Sequence, residues 1–321
     1  MSRLALEKNQ IWLYLAGIIA GLLFGKPATA ISGYLELMLW PTLALLLYST
    51  FTQVSLTRLP EAFRDLRFLA AVLTGNFVVV PLIVWLLLLL LPDDPALRLG
   101  VLLVLLVPCT DWFITFTQLG RGDVKRAISA TPINLLVQFA LLPAYLWFFM
   151  DMDVQTNLQI DPWMLAMAFS GLILLPLIIA YVTERWAEAD ANRQINIEKI
   201  GFLPVPLLTI VLFLIAATQV NIILDALPVL IKVAPVFVIY LLLVALAARL
   251  LGYLFALPTS GGRTLAFSLG TRNSFVVLPL ALALPSGWET TVIVIVCQTL
   301  VELFGMIFYL WWIPEKLFRS A

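Results

Sequence analysis

Three charged side chains stand where a charge is least welcome. Asp111, Arg272 and Glu302 each lie inside a stretch that is otherwise apolar. A charge at the centre of a bilayer costs roughly 2.5–3.5 kcal/mol on insertion scales. A guanidinium cannot escape that cost by losing its proton. Carboxylates so placed can take up and release protons, and a guanidinium can hold an anion or replace a small cation. Around the three lie Cys109, Thr110, Asn134, Gln138, Thr271, Asn273, Ser274, Cys297 and Gln298. Glu302 and Gln298 are one helical turn apart, and so are Asn134 and Gln138, so each pair shares a helix face. These groups suit the binding of a small polar solute and the coupling of its movement to a proton. Each also has a structural reading: Arg272 with Asp111 as a clamp, Glu302 and the amides as interhelical glue, the two cysteines as small buried hydrophobes.

The elements that must position them are membrane spans. The 321 residues are 62% hydrophobic and 12% charged, with a mean hydropathy of +1.04. Soluble domains carry about a quarter charged residues. Apolar segments long enough to span fall at 11–26, 35–53, 68–91, 98–119, 128–150, 162–183, 202–220, 230–251, 264–284 and 289–313, which makes ten. The fold class expected is an all-α polytopic membrane protein. Span 4 is interrupted at Pro108-Cys109 and span 9 from Gly270 to Asn273. Proline removes a backbone donor and glycine loosens a helix, and broken backbone is tolerated in a bilayer only where protein or a cavity covers it. Arg3 and Lys8 before the run Ile11–Gly25, and Ala28-Thr29-Ala30 after it, imitate a signal peptide. The segment is read instead as span 1.

Fifteen of the nineteen Lys and Arg fall in one set of loops and termini; three (Lys26, Arg98, Lys232) fall in the other, and Arg272 is the nineteenth. That split places both termini in the cytoplasm and the chain in the cell membrane. With no histidine, imidazole-based zinc and haem sites are excluded, and two cysteines give no disulfide framework. No cofactor, nucleic-acid partner or catalytic Ser/Lys or paired-Asp pattern is indicated. The partners expected are the lipid bilayer and a small-molecule substrate.

The halves look alike. Shifting the chain by 164 lays NLLVQFALLPAYLWF (134–148) over QTLVELFGMIFYLWW (298–312) and the Pro108-Cys109 break over Arg272-Asn273. Five spans per half is an odd number, so residues 1–155 and 156–321 would enter the membrane from opposite sides. Inverted repeats with matching discontinuous helices are a mark of secondary transporters, with substrate bound where the breaks meet. If the breaks meet, Asp111 comes within reach of Arg272, and Glu302 is the carboxylate left to carry a coupling proton.

VPCTDWFITFTQLGRGDV (107–124) and GTRNSFVVLPLALALP (270–285) resemble the crossover helices of the bile acid/sodium symporter superfamily. The resemblance implies ten helices in two inverted five-helix repeats. It also implies a panel of spans 1, 2, 6 and 7 that rocks against a core of spans 3–5 and 8–10. The sodium-coupled members have Glu and Gln where this chain has Ser268 and Arg272, and small residues where it has Trp112 and Phe113. Both sodium sites are therefore read as lost, with Arg272 where a cation charge used to be. The arsenite efflux permeases of the superfamily also lack sodium sites, and their Pro-Cys-Thr and span 10 glutamate match Pro108-Cys109-Thr110 and Glu302. That resemblance implies As(III) or Sb(III) on Cys109, a soft ligand for a soft centre, and an exchanged proton on Glu302. Thr110, Asn134, Arg272, Asn273 and Ser274 complete the expected substrate site, Asp111 shares the proton-coupling role, and Gln138 and Gln298 support them. Asp111 and Arg272 depart from the permease pattern, which leaves open a small organic anion anchored by Arg272.

Overall fold

The computed structural model describes residues 6–7, 9–25, 32–54, 56–58, 60, 63–110, 112–152 and 170–319. Every regular element among them is helical. In chain order these are α1 (Gln10–Gly25), α2 (Ser32–Phe51), α3 (Leu66–Leu88), α4 (Pro95–Leu106), α5 (Trp112–Leu119), α6 (Val124–Met152), α7 (Ser170–Glu188), α8 (Ala191–Ile200), α9 (Pro204–Thr218), α10 (Val220–Leu254), α11 (Thr259–Gly270), α12 (Ser274–Leu282) and α13 (Glu289–Trp312). Among the described residues seven stretches are long and apolar enough to cross a membrane, and α1 and α4 are shorter apolar helices. Large apolar side chains lie on the outside of the protein, with Leu23, Leu89 and Ile231 more than 70% exposed. Surface of that kind belongs against lipid. Asp111 and the beginning of the sixth expected span (162–169) lie outside the described residues.

Helix starts follow local chemistry. Asp65 caps α3 by accepting from the Phe68 amide at 3.1 Å. Asp94 caps α4, accepting from Ala96 and Leu97 at 3.0 and 3.1 Å, with Pro95 at the first position where no donor is needed. The eighth expected span begins earlier than the hydropathy suggested. α10 runs unbroken from Val220 through Pro228 and Pro235, giving a 35-residue helix. Inside α3 the turn Gly75–Val79 is widened, a feature of helices that place a side chain for function. Pro81 lacks the N–H that would bond the Phe77 carbonyl, and the Tyr145 hydroxyl of α6 donates to that carbonyl instead, at 2.5 Å.

The chain forms two compact units. The first comprises residues 1–53, 160–228 and 278–293, the second 54–159, 229–277 and 294–321. In the first, α9 packs on α1, α2 packs on α9, and α7 packs on α2. The α1–α9 contact rests on Gly17, Gly21 and Gly25, four residues apart on one face. A Cβ on Gly17 would stand 2.9 Å from the Thr209 carbonyl oxygen; on Gly21 and Gly25 it would strike the backbone at Phe213 and Ala217. Small residues at this spacing let membrane helices approach closely. In the second unit α6 packs against α3, α4, α5 and α11, with Ile133 and Val137 on Leu69 and Leu73 of α3. Cys109, Thr110, Asn134, Gln138, Arg272, Asn273, Ser274, Gln298 and Glu302 belong to this second unit.

Candidate functional site

The site is built where two helices stop inside the second unit. α4 ends at Leu106 and Val107 turns extended; α11 ends at Gly270 and Thr271 turns extended. The two interruptions lie side by side in antiparallel register, Pro108 opposite Arg272. The Cys109 amide donates to the Thr271 carbonyl at 3.1 Å, and the Asn273 amide to the Val107 carbonyl at 2.8 Å. Unwound backbone buried in an apolar core leaves donors and acceptors that must find partners. Here each break satisfies the other. Around this pair, Asn273 Nδ2 reaches Thr110 Oγ1 at 3.4 Å, and Trp112 meets Phe275 edge to face at 5.2 Å.

Arg272 is 1% exposed, and its side chain and its backbone serve opposite ends. The guanidinium turns back onto the end of α11. Nη2 donates to the carbonyls of Ser268 and Leu269 and to Asn76 Oδ1, each at 2.8 Å, and Nη1 to the Leu105 carbonyl of α4 at 3.3 Å. Asn76, at the widened turn of α3, is itself fixed by donating to Ser268 Oγ at 3.0 Å. The Arg272 amide points the other way and donates to Glu302 Oε2 at 2.9 Å. A cation thus sits at the C-terminal end of α11 and a carboxylate at the N-terminal approach to α12, each the sign that the helix dipole favours. Asn273 completes the start of α12 by accepting from the Val276 amide at 3.2 Å.

Glu302 is 1% exposed on α13. Its Oε2 also accepts from Gln298 Nε2 at 2.6 Å. Gln298 Oε1 in turn accepts from Ser274 Oγ at 3.3 Å, and Thr299 Oγ1 donates to Ser274 Oγ at 2.8 Å. Of the expected site residues, the structure therefore links Thr110, Arg272, Asn273, Ser274, Gln298 and Glu302 by hydrogen bonds, with Cys109 joined through its backbone. Asn134 and Gln138 are fully buried on α6, and among the described residues no hydrogen bond ties them to this network. Both polar atoms of each lack a partner among the described residues, as do Glu302 Oε1 and Arg272 Nε. Cys297 is only partly buried.

Two participants escaped the sequence reading. Asn76 carries the amide that holds the guanidinium, and its signal was available as a lone Asn beside Gly75 in an apolar run. Tyr240 donates to the Leu269 carbonyl at 2.8 Å and lies with its ring 5.8 Å from the Arg272 guanidinium carbon. No local pattern marks it, because tyrosine in a span is ordinary.

An all-helical membrane protein with a buried polar centre at paired helix interruptions has the architecture of a secondary transporter. Residues 40–226, more than half of the chain, match the Sodium Bile acid symporter family, and the protein belongs to that family. A 209-residue stretch is 24% identical to the arsenical-resistance protein Acr3 of Corynebacterium glutamicum, covering 60% of this chain and 56% of that protein. The chain thus spans little more than half the length of that relative.

Proposed function

We propose that this protein is a sodium-independent carrier that exports arsenite or antimonite in exchange for protons. The observation that carries the reading is Glu302, a fully buried carboxylate with one oxygen held by Arg272 N and Gln298 and the other without a partner among the described residues. It holds the break after α11, which pairs with the break after α4 that contains Cys109. The unpartnered oxygen is where a proton can be added or removed without breaking the hydrogen bonds that hold the break. Cys109 supplies the soft ligand for As(III) or Sb(III), and the amides of Asn134 and Gln138, without partners among the described residues, supply donors and acceptors for its hydroxyls. The name of the Acr3 relative agrees with this substrate class. Asp111, which adjoins the first break, shares the proton-coupling role and balances part of the Arg272 charge.

The organic-anion reading finds less support. A carboxylate anchor needs guanidinium N–H groups turned toward the substrate, whereas Nη1 and Nη2 of Arg272 already donate to three carbonyls and an amide oxygen.

The proposed fold is ten spans in two inverted repeats, residues 1–155 and 156–321, with both termini cytoplasmic. Recurring hydrogen bonds support it. Tyr145 donates to the Phe77 carbonyl and Tyr309 to the Leu241 carbonyl, each pair 68 residues apart. The shift of 164 seen in the sequence carries the first pair onto the second. The same shift relates the two bonds between the breaks, Asn273 to Val107 and Cys109 to Thr271, as mates about a pseudo-two-fold axis.

The function is tested by expressing the protein in a bacterial strain stripped of its own arsenite pumps. Raised arsenite tolerance and lowered cell arsenic are expected. Unchanged tolerance from a correctly inserted protein contradicts the arsenite reading.

A further inference from the structure

At one end of the second unit, two membrane-length helices open onto a common cavity. α3 begins at Leu66 and α6 at Val124. Beside their first turns lies a cavity of about 440 Å³ whose lining includes Arg64, Asp65, Phe68, Asp123, Lys125 and Arg126. The positive ends of two helix dipoles meet there. The two carboxylates of the lining are turned onto Arg126 and onto their own helix starts. Asp65 Oδ2 accepts from Arg126 Nε at 2.7 Å and Asp123 Oδ2 from Nη1 at 3.3 Å, while Oδ1 of each accepts a backbone amide, Phe68 N at 3.1 Å and Arg126 N at 3.2 Å. Arg64 and Lys125 are exposed, and among the described residues neither has a carboxylate within ion-pair distance. With Arg67, whose charge reaches Asp65, four cations stand against two carboxylates. Phe63 and Leu66, next to Arg64 and Asp65 in the chain, are 56% and 64% exposed.

We propose that this cavity binds the phosphate of an anionic phospholipid headgroup, held by Arg64 and Lys125 between the starts of α3 and α6. The ends of membrane spans lie at the level of the headgroups, and basic pockets between membrane helices suit anionic ones. Scattered Lys and Arg near a bilayer attract such lipids by charge alone. The cavity adds a place where one phosphate meets cations beside both helices at once. A free phosphate ion shares this chemistry but makes no use of Phe63 and Leu66, which offer apolar surface to acyl chains. A bound headgroup ties the starts of α3 and α6 together and so stabilises the second unit. This holds whichever solute the protein carries.

The test measures thermal unfolding of the purified, delipidated protein in detergent, with phosphatidylglycerol, phosphatidylcholine or inorganic phosphate added at one concentration. A ligand that binds only the folded state raises the melting temperature. Phosphatidylglycerol should raise it by several degrees, and the other two by less than half as much. Arg64→Gln with Lys125→Gln should lose most of that rise. Lys199→Gln with Arg249→Gln removes the same charge from exposed positions elsewhere and should keep it. Lys125→Gln alone should lose part of the rise, which keeps the test open if the double variant folds poorly. Equal rises from phosphatidylglycerol and phosphatidylcholine overturn the proposal, and so does a full rise in the Arg64 and Lys125 variants. A rise from inorganic phosphate as large as that from phosphatidylglycerol assigns the cavity to a free anion and overturns the lipid occupant. These readouts do not involve transport, so their failure leaves the arsenite reading standing, and the reverse also holds.

Discussion

Glu302 holds Arg272 by its backbone and not by its guanidinium: Oε2 accepts the Arg272 amide at 2.9 Å while the guanidinium points away to the ends of α11 and α4. These two buried opposite charges therefore do separate jobs at one chain break. The arginine closes the end of one half-helix, and the glutamate holds the start of the next.

That division predicts how Glu302 variants behave. In Glu302→Gln the side-chain carbonyl still accepts from Arg272 N and Gln298 Nε2, so the melting temperature should stay near that of the parent. In Glu302→Ala both donors lose their acceptor in a buried site, at about 1–3 kcal/mol each. Differential scanning fluorimetry in detergent should rank them parent, Gln, then Ala well below. Equal losses for Gln and Ala would show that Oε2 does not hold the break.

The cysteines should separate by position. Cys109 lies within the paired breaks and is buried, whereas Cys297 lies on α13 and is partly buried. Cys109→Ser should abolish arsenite tolerance in the pump-deficient strain, and Cys297→Ser should leave it within about twofold of the parent, a difference well under 1 kcal/mol. Equal tolerance of the two variants would remove Cys109 from the substrate site.

Asp65 gives an acid-stability prediction away from the membrane centre. Burial pushes its carboxyl up, but the Phe68 amide and the Arg126 guanidinium, 2.7 Å away, outweigh burial and hold it below the ordinary carboxylate value. A carboxyl with a lower pKa folded than unfolded adds stability that is complete above its unfolded value of about 3.9. That stability is lost as pH falls through the folded value. Asp65→Asn should melt lower than the parent at pH 7 and show a shallower further fall below pH 4. Parallel melting curves against pH would contradict the contact.

How much of this was legible depends on the kind of signal. The helix stops at Leu106 and Gly270 lie beside Pro108-Cys109 and Gly270–Asn273 because proline and glycine act locally and announce themselves. The burial of Arg272 and Glu302 was legible from the apolar residues around them. Their partners were not. That the guanidinium would find carbonyls of α11 and α4 depends on how two interruptions pair, a relation between residues more than 160 positions apart. The glycine stripe Gly17, Gly21, Gly25 was visible in the sequence, but its meaning needed α9 opposite it. The start of α10 at Val220 was hidden because Asp225, Pro228 and Lys232 read as a loop, while the structure continues the helix through them.

The central claim is that arsenite movement is exchanged for a proton carried on Glu302, without sodium. The most direct measurement is arsenite-driven proton flux in proteoliposomes, followed with a trapped pH dye in choline buffer, for the parent and Glu302→Gln. The account predicts arsenite-dependent proton movement by the parent, unchanged when sodium replaces choline, and none above the protein-free background in the variant. Flux in Glu302→Gln at the parent's rate, or a parent that moves protons only when sodium is present, would contradict it.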